Sequence, residues 1–118
     1  MKRGEIWTVS GAGYAGKPRP AVIVQDDRFG DTNSVAICIF TTFETDAPLA
    51  RLAVAPSALN GLRETCHLMV DKITTVPRRQ MDALVGQLEP EIVRRLDHAL
   101  IVFLGLAEPR RPVRRAQR

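Results

Sequence analysis

Apolar and polar positions alternate in short runs along most of the chain, and the period changes only near the end. Glu5-Ile6-Trp7-Thr8-Val9 places Ile6 and Thr8 on one face and Trp7 and Val9 on the other, predicting a strand over residues 4–10. Residues 11–18 hold three glycines, a lysine and a proline and predict a loop. Ala21 to Gln25 is a short apolar run suited to a buried strand, and Asp26 to Asn33, with Gly30, is a turn. Ser34 to Thr42 is the longest β-branched and apolar run and predicts the central strand. Polar residues 43–48 end in Pro48 and predict another loop. Residues 49–54 alternate again, with Leu52 and Val54 facing away from Arg51, and Asn60-Gly61 is a turn signal. Strands are predicted over 66–74 and 83–88, with a corner at Val76-Pro77-Arg78-Arg79 between them.

After Leu88 the period becomes helical. Ile92, Leu96, Ala99, Leu100 and Phe103 recur at spacings of three and four. Pro90 suits the first turn, where its missing N–H costs nothing, and Glu91 favours the positive end of the helix dipole. Gly105 is a stop, and the prolines and arginines beyond it predict a disordered tail. The expected architecture is one domain over residues 1–106: a small, mostly antiparallel β barrel of five or six strands with a C-terminal helix. Residues 107–118 are the basic tail.

Composition alters this picture in one respect. The 118 residues carry a formal charge of +4, but Arg110, Arg111, Arg114, Arg115 and Arg118 all lie in the tail with one acid, Glu108. Taking those five from the 17 basic side chains, and Glu108 from the 13 acidic ones, leaves 12 of each in residues 1–106. The body is neutral, so a polyanion site on it must come from local arrangement. The tail is read either as an electrostatic hold on RNA or as a solubilising end. No apolar run approaches the roughly 20 residues of a membrane helix. The N-terminus has no apolar leader, which gives a cytoplasmic expectation. Cys38 and Cys66, with His67 and His98, complete no metal-ligand spacing, so no metal or cofactor is expected.

Candidate chemistry falls at strand ends. Arg19 lies between Pro18 and Pro20 after a glycine-rich loop, so its planar guanidinium is aimed, and such a fork suits a phosphate. A strand-edge surface arginine is the plain alternative. Thr41 and Thr42 close the central strand, where a hydroxyl can bond a phosphate or a 2′-hydroxyl, or simply end a strand. Asp71, on an apolar strand beside Lys72, is read as one half of a structural ion pair or as a general base. His67 shares the face of that strand about 13 Å from Asp71, too far to share a proton, and is read as a rim or satisfied histidine.

Several of these segments resemble the MazF/PemK/Kid toxins. Arg3-Gly4-Glu5-Ile6-Trp7 is similar to their opening strand, and Lys17-Pro18-Arg19-Pro20-Ala21-Val22-Ile23-Val24 to their arginine-proline strand. Ile39-Phe40-Thr41-Thr42 resembles the strand ending in threonine or serine. Asn60-Gly61-Leu62 with Val70-Asp71-Lys72-Ile73-Thr74-Thr75-Val76 resembles a later aspartate-bearing strand. Ile92 to Leu104 is similar to the final helix, so the resemblance spans residues 2–106.

The resemblance implies an SH3-like antiparallel β barrel with a C-terminal helix, as in CcdB, MazF and Kid. It implies a homodimeric, metal-independent endoribonuclease toxin of a type II toxin–antitoxin system. Such toxins cut single-stranded RNA, often mRNA, at short sequences, leaving a 2′,3′-cyclic phosphate and a 5′-hydroxyl. A cognate antitoxin blocks them with an acidic, disordered segment, and the complex binds its own promoter DNA. Arg19 then matches the catalytic arginine, Thr41 the catalytic threonine, and Asp71 the general base of some members. Tyr14, Lys17, Thr42, Arg51, Arg63 and Arg78 are the expected RNA contacts.

Two departures stand out. Some members have an arginine two residues before the aspartate, where this chain has Met69, and some have a histidine in the early loop, where it has Tyr14 and Lys17. Two other readings remain. One is a non-catalytic RNA- or protein-binding barrel. The other is a CcdB-like gyrase poison, disfavoured because the helix end reads Phe103-Leu104-Gly105-Leu106 where such poisons carry Trp-Gly-Ile.

Overall fold

The computed structural model describes residues 1–10, 17–43 and 50–106. Seven strands and one helix follow in chain order. They are β1 (Glu5–Val9), β2 (Arg19–Ile23), β3 (Ser34–Thr41), β4 (Arg51–Val54), β5 (Cys66–Met69), β6 (Thr74–Pro77), β7 (Met81–Gln87) and α1 (Pro90–Phe103). Neighbouring strands run in the order β4-β5-β3-β2-β1-β7, with β6 also on β3, and every pairing is antiparallel. The fold is therefore mostly β with a C-terminal helix, a barrel-like sheet that does not close on itself.

β3 organises the sheet because it is long enough to serve three partners. Residues 37–39 pair with β2, Phe40 and Thr41 with β5, and residues 34–37 with β6. Both faces of its middle are covered. Ile6, Val22, Cys38, Phe40 and Leu68 pack with Leu96 and Leu100 of α1 in one cluster. Val9, Ala21, Ile23, Val35, Ile37, Val76 and Met81 form a second cluster on the other face. A strand buried on both sides reads as an unbroken apolar run, which is why residues 34–40 show little alternation.

The predicted strand over 66–74 does not exist as one piece. β5 stops at Met69, a 3-10 turn at Val70–Lys72 intervenes, and β6 begins at Thr74. β5 and β6 both pair with β3, at opposite ends of it, so the chain must break its ladder to move from one end to the other. The strand count rises to seven, and Asp71 lies in the turn rather than on the face that carries His67.

α1 is tied to the sheet by more than its apolar stripe. Arg3 donates to Val24 O at 2.8 Å through Nε and to the Asp97 carboxylate at 2.7 Å through Nη1. The tail at 107–118 lies outside the described residues.

Candidate active site

β2 begins where β3 ends. Their ladder pairs Ile23 with Ile37, Val22 with Cys38 and Ala21 with Ile39, and stops there. Pro20 has no N–H with which to extend it. Continuing the register by two residues sets Arg19 opposite Thr41. The strands part into an open cleft of about 670 Å³, lined at this end by Pro18, Arg19, Pro20, Thr41 and Thr42. Phe40, Leu62, Cys66 and Val85 add apolar surface, and Arg63 and Glu64 line it from the loop before β5.

That loop is held by a buried side chain. Asn60 is fully buried, and its Oδ1 accepts from the backbone N–H groups of Ser57 and Leu62, each at 3.0 Å. Its Nδ2 donates to Ala55 O at 2.9 Å and to the Glu89 carboxylate. The Ser57 hydroxyl bonds the same carboxylate and holds it below the usual glutamate range. Gly61, at φ +71°, and Gly86 let the loop lie on β7. A Cβ at Gly61 would meet Val85 O at 2.5 Å, and one at Gly86 would meet Leu59 O at 2.5 Å.

Two properties equip the cleft for a phosphate. Among the described residues, Arg19 and Arg63 make no side-chain hydrogen bond or ion pair, and both are exposed. Thr41 Oγ1 accepts the Phe43 N–H at 3.1 Å. That bond fixes the hydroxyl and leaves its proton free to donate to an anion. Thr42 is exposed beside it.

The other candidate residues divide differently. Lys17 is exposed just before β2, and Tyr14 lies outside the described residues. Arg78 does not line the cleft. Its guanidinium is bound to Thr32, with Nε 2.8 Å from Thr32 O. Asp71 does not line it either. It takes a two-point ion pair from Arg51, Nε to Oδ1 at 2.8 Å and Nη2 to Oδ2 at 3.2 Å. The Arg51 guanidinium holds the Asp71 carboxyl below its usual range.

The arginine absent at position 69 is thus supplied across the sheet, because Arg51 is the register partner of Met69. Arg51 also lines a second cleft between β4 and α1, with Arg94, Arg95 and His98. Glu64 is the residue that the sequence reading missed. It is the acid in the cleft lining, and only the tertiary position of an ordinary polar loop reveals it.

Of the two expectations for His67, a rim or a satisfied histidine, the structure is at odds with the second. His67 is half-buried, and its Nδ1 is fully enclosed with no hydrogen-bond partner. The thiols are inert by comparison. Burial pushes Cys38 up to about 12 and also raises Cys66. No group of His, Cys, Asp and Glu among the described residues is placed to hold a metal ion.

Comparison with known proteins decides the family. Residues 2–104 match the PemK-like, MazF-like toxins of type II toxin–antitoxin systems. The chain belongs to this toxin family. It is 50% identical over 108 residues to a probable endoribonuclease MazF of Mycolicibacterium smegmatis, covering 91% of this chain and 99% of that protein. An endoribonuclease from a mycobacterial species, solved in complex with its cognate antitoxin, superposes with a TM-score of 0.76 at 25% identity, over 92% of this chain and 99% of that one. The Mycobacterium tuberculosis toxin MazF-mt6 shares the fold at a TM-score of 0.72 and 20% identity, over 86% and 96% of the two chains. As a MazF/PemK toxin the chain is an endoribonuclease of a toxin–antitoxin pair. No helix among the described residues is long and apolar enough to cross a membrane.

Proposed function

We propose that this toxin cleaves single-stranded RNA, mRNA in the cell, at short sequences seated in the Arg19–Thr41 cleft, without a metal. The carrying observation is the juxtaposition of a guanidinium that pairs with no described residue and an oriented hydroxyl at the facing ends of β2 and β3. The RNA 2′-oxygen attacks the adjacent phosphorus, its proton passes to a base or to water, and the P–O5′ bond breaks. The leaving oxygen takes up a proton, leaving a 2′,3′-cyclic phosphate and a 5′-hydroxyl. This attack is intramolecular, so the protein mainly holds the ribose in line and neutralises the phosphorane. Arg19 meets its charge with a planar fork, and the Thr41 hydroxyl donates to a neighbouring oxygen.

Thr42, Arg63 and Lys17 extend this cationic and polar surface along the strand, and Tyr14 supplies a stacking face. Arg51 and Arg78 contact RNA farther out while holding their protein partners. Asp71 acts as the anchor of Arg51, since a carboxylate neutralised at both oxygens by a guanidinium is a poor base. The exposed apolar side chains of Ile101, Val102, Phe103 and Leu104 at the end of α1 support a homodimer. The cleft arginines suit the acidic segment of a cytoplasmic antitoxin, and the joint complex binds promoter DNA.

The test is incubation of the purified protein and Arg19→Ala with a long single-stranded RNA in EDTA, with mapping of the 5′ ends. Cleavage by the wild type alone at one short motif, with 5′-hydroxyl ends and dependence on the 2′-hydroxyl, is expected. Intact RNA across varied substrates would overturn the reading.

A further inference from the structure

We propose that His67 is a third catalytic residue, donating a hydrogen bond from Nε2 to a non-bridging oxygen of the phosphate held by Arg19 and Thr41. This rests on the ribonuclease reading above.

The first observation is register. Thr41 on β3 and His67 on β5 are directly opposite partners. Opposed side chains of an antiparallel pair share a face, with Cβ atoms about 5 Å apart. On the other side of β3 the ladder with β2 ends at Ala21–Ile39, and Arg19 lines the cleft that opens there, as Thr41 does. Thr41 and His67 thus sit side by side on adjacent strands, ~4.8 Å from strand to strand, with Arg19 on the same cleft as Thr41. Beyond His67 on β4 its partner is Ala53, which is small and exposed.

The second observation is the ring itself. Nδ1 is enclosed and unpartnered. Buried polar atoms without a partner are few in folded proteins, and each calls for a reason. A buried orphan N–H is rarer than an under-satisfied acceptor, so the neutral ring keeps its proton on Nε2 and leaves a lone pair at Nδ1. The ring is half-buried, and Nε2, unlike Nδ1, is not an enclosed orphan and bonds no described residue. A general base of the usual kind needs the opposite tautomer, with Nδ1–H steadied by an acceptor, and no such acceptor is present at Nδ1. His67 is therefore a donor, and no proton is transferred through it. His98, the other histidine, lines the β4–α1 cleft instead.

The test combines spectroscopy and substitution. Long-range ¹H–¹⁵N spectra of the wild-type imidazoles are recorded while an RNA oligonucleotide, 2′-deoxy at its cleavage position, is added. The His67 Nε2 signal is expected to move, with Nδ1 staying unprotonated, and Arg19→Ala should weaken the response. In cleavage assays His67→Leu should lose on the order of 100-fold in kcat, as when one donor to a transition-state oxygen is removed. His67→Gln, which keeps an N–H near the Nε2 position, should recover most of it. Thermal unfolding confirms that both variants are folded, and the wild-type titration stands without them. An unmoved Nε2 signal at saturation, or a wild type and His67→Leu that cleave equally, would overturn the assignment. A wild type that cleaves nothing would instead sink the ribonuclease reading.

Discussion

Arg51 on β4 stands opposite Met69 on β5 and reaches past it to grip both oxygens of Asp71, at 2.8 and 3.2 Å. The pair joins β4 to the 3-10 turn that lets the chain leave β5, and that turn packs against α1. With 13% of the Arg51 side chain and 29% of the Asp71 side chain exposed, solvent screens the attraction only in part. A double-mutant cycle of Arg51→Met and Asp71→Asn, read by chemical denaturation, should give a coupling of about 1 kcal/mol. Asp71→Asn should keep most of its kcat where it is folded. Loss of a true general base costs on the order of 100-fold or more, and such a loss would return Asp71 to that role.

Thr41→Val keeps the shape of the side chain and removes both roles of its oxygen. The Phe43 N–H loses its acceptor and the cleft loses its donor. Cleavage should fall on the order of 100-fold, the usual cost of one donor to a transition-state oxygen. Thr41→Ser should retain most activity. Equal cleavage by the valine and serine variants would remove the hydroxyl from the chemistry.

Asn60→Ala deletes a buried side chain that satisfies two N–H groups and a carbonyl at once. Leaving them enclosed should cost about 3 kcal/mol, measured by urea unfolding. Because the same loop carries Arg63 and Glu64 into the cleft, activity should fall more steeply with temperature than in the wild type. An unchanged unfolding midpoint would show that the loop is held by other means.

Acid should weaken the fold through Glu89 and Asp71. Bonds from Ser57 and from Arg51 depress these carboxyls below their unfolded values. Their stabilisation is complete above the unfolded values, roughly 4 for both, and is lost as pH falls through the lower folded ones. Denaturation midpoints taken from about pH 6 downward should decline below roughly pH 4.5, and Glu89→Gln should flatten that decline. A wild-type midpoint that is flat through this window would show that neither carboxyl is specially stabilised.

Much of the fold was legible in the chain. The β-branched run ending at Thr41, the helical stripe from Ile92 and the Asn60-Gly61 turn each signal their structure through local period and turn chemistry, which involve only near neighbours. The break at Val70–Lys72 was not legible. Val70 and Ile73 are apolar whether the segment continues as a strand or turns, and the turn is imposed by the demand for two pairing positions on β3. The apolar run predicted a strand from Ala21, whereas β2 begins at Arg19 and includes Pro20. The proline is accommodated at the strand's beginning, paired with Thr8, where no further ladder with β3 is required.

By itself the sequence determined most of the element types, the neutral body with its basic tail, the arginine between two prolines and the membership of a toxin family. Only the tertiary structure decided which polar groups lie together. It set His67 opposite Thr41 and brought Arg19, Thr41, Arg63 and Glu64 to one cleft, while binding Arg51 to Asp71 and Arg78 to Thr32. The reason is physical. Side-chain alternation acts over a few residues, whereas strand register is settled by burying two apolar clusters and completing the hydrogen-bond ladders of a whole sheet.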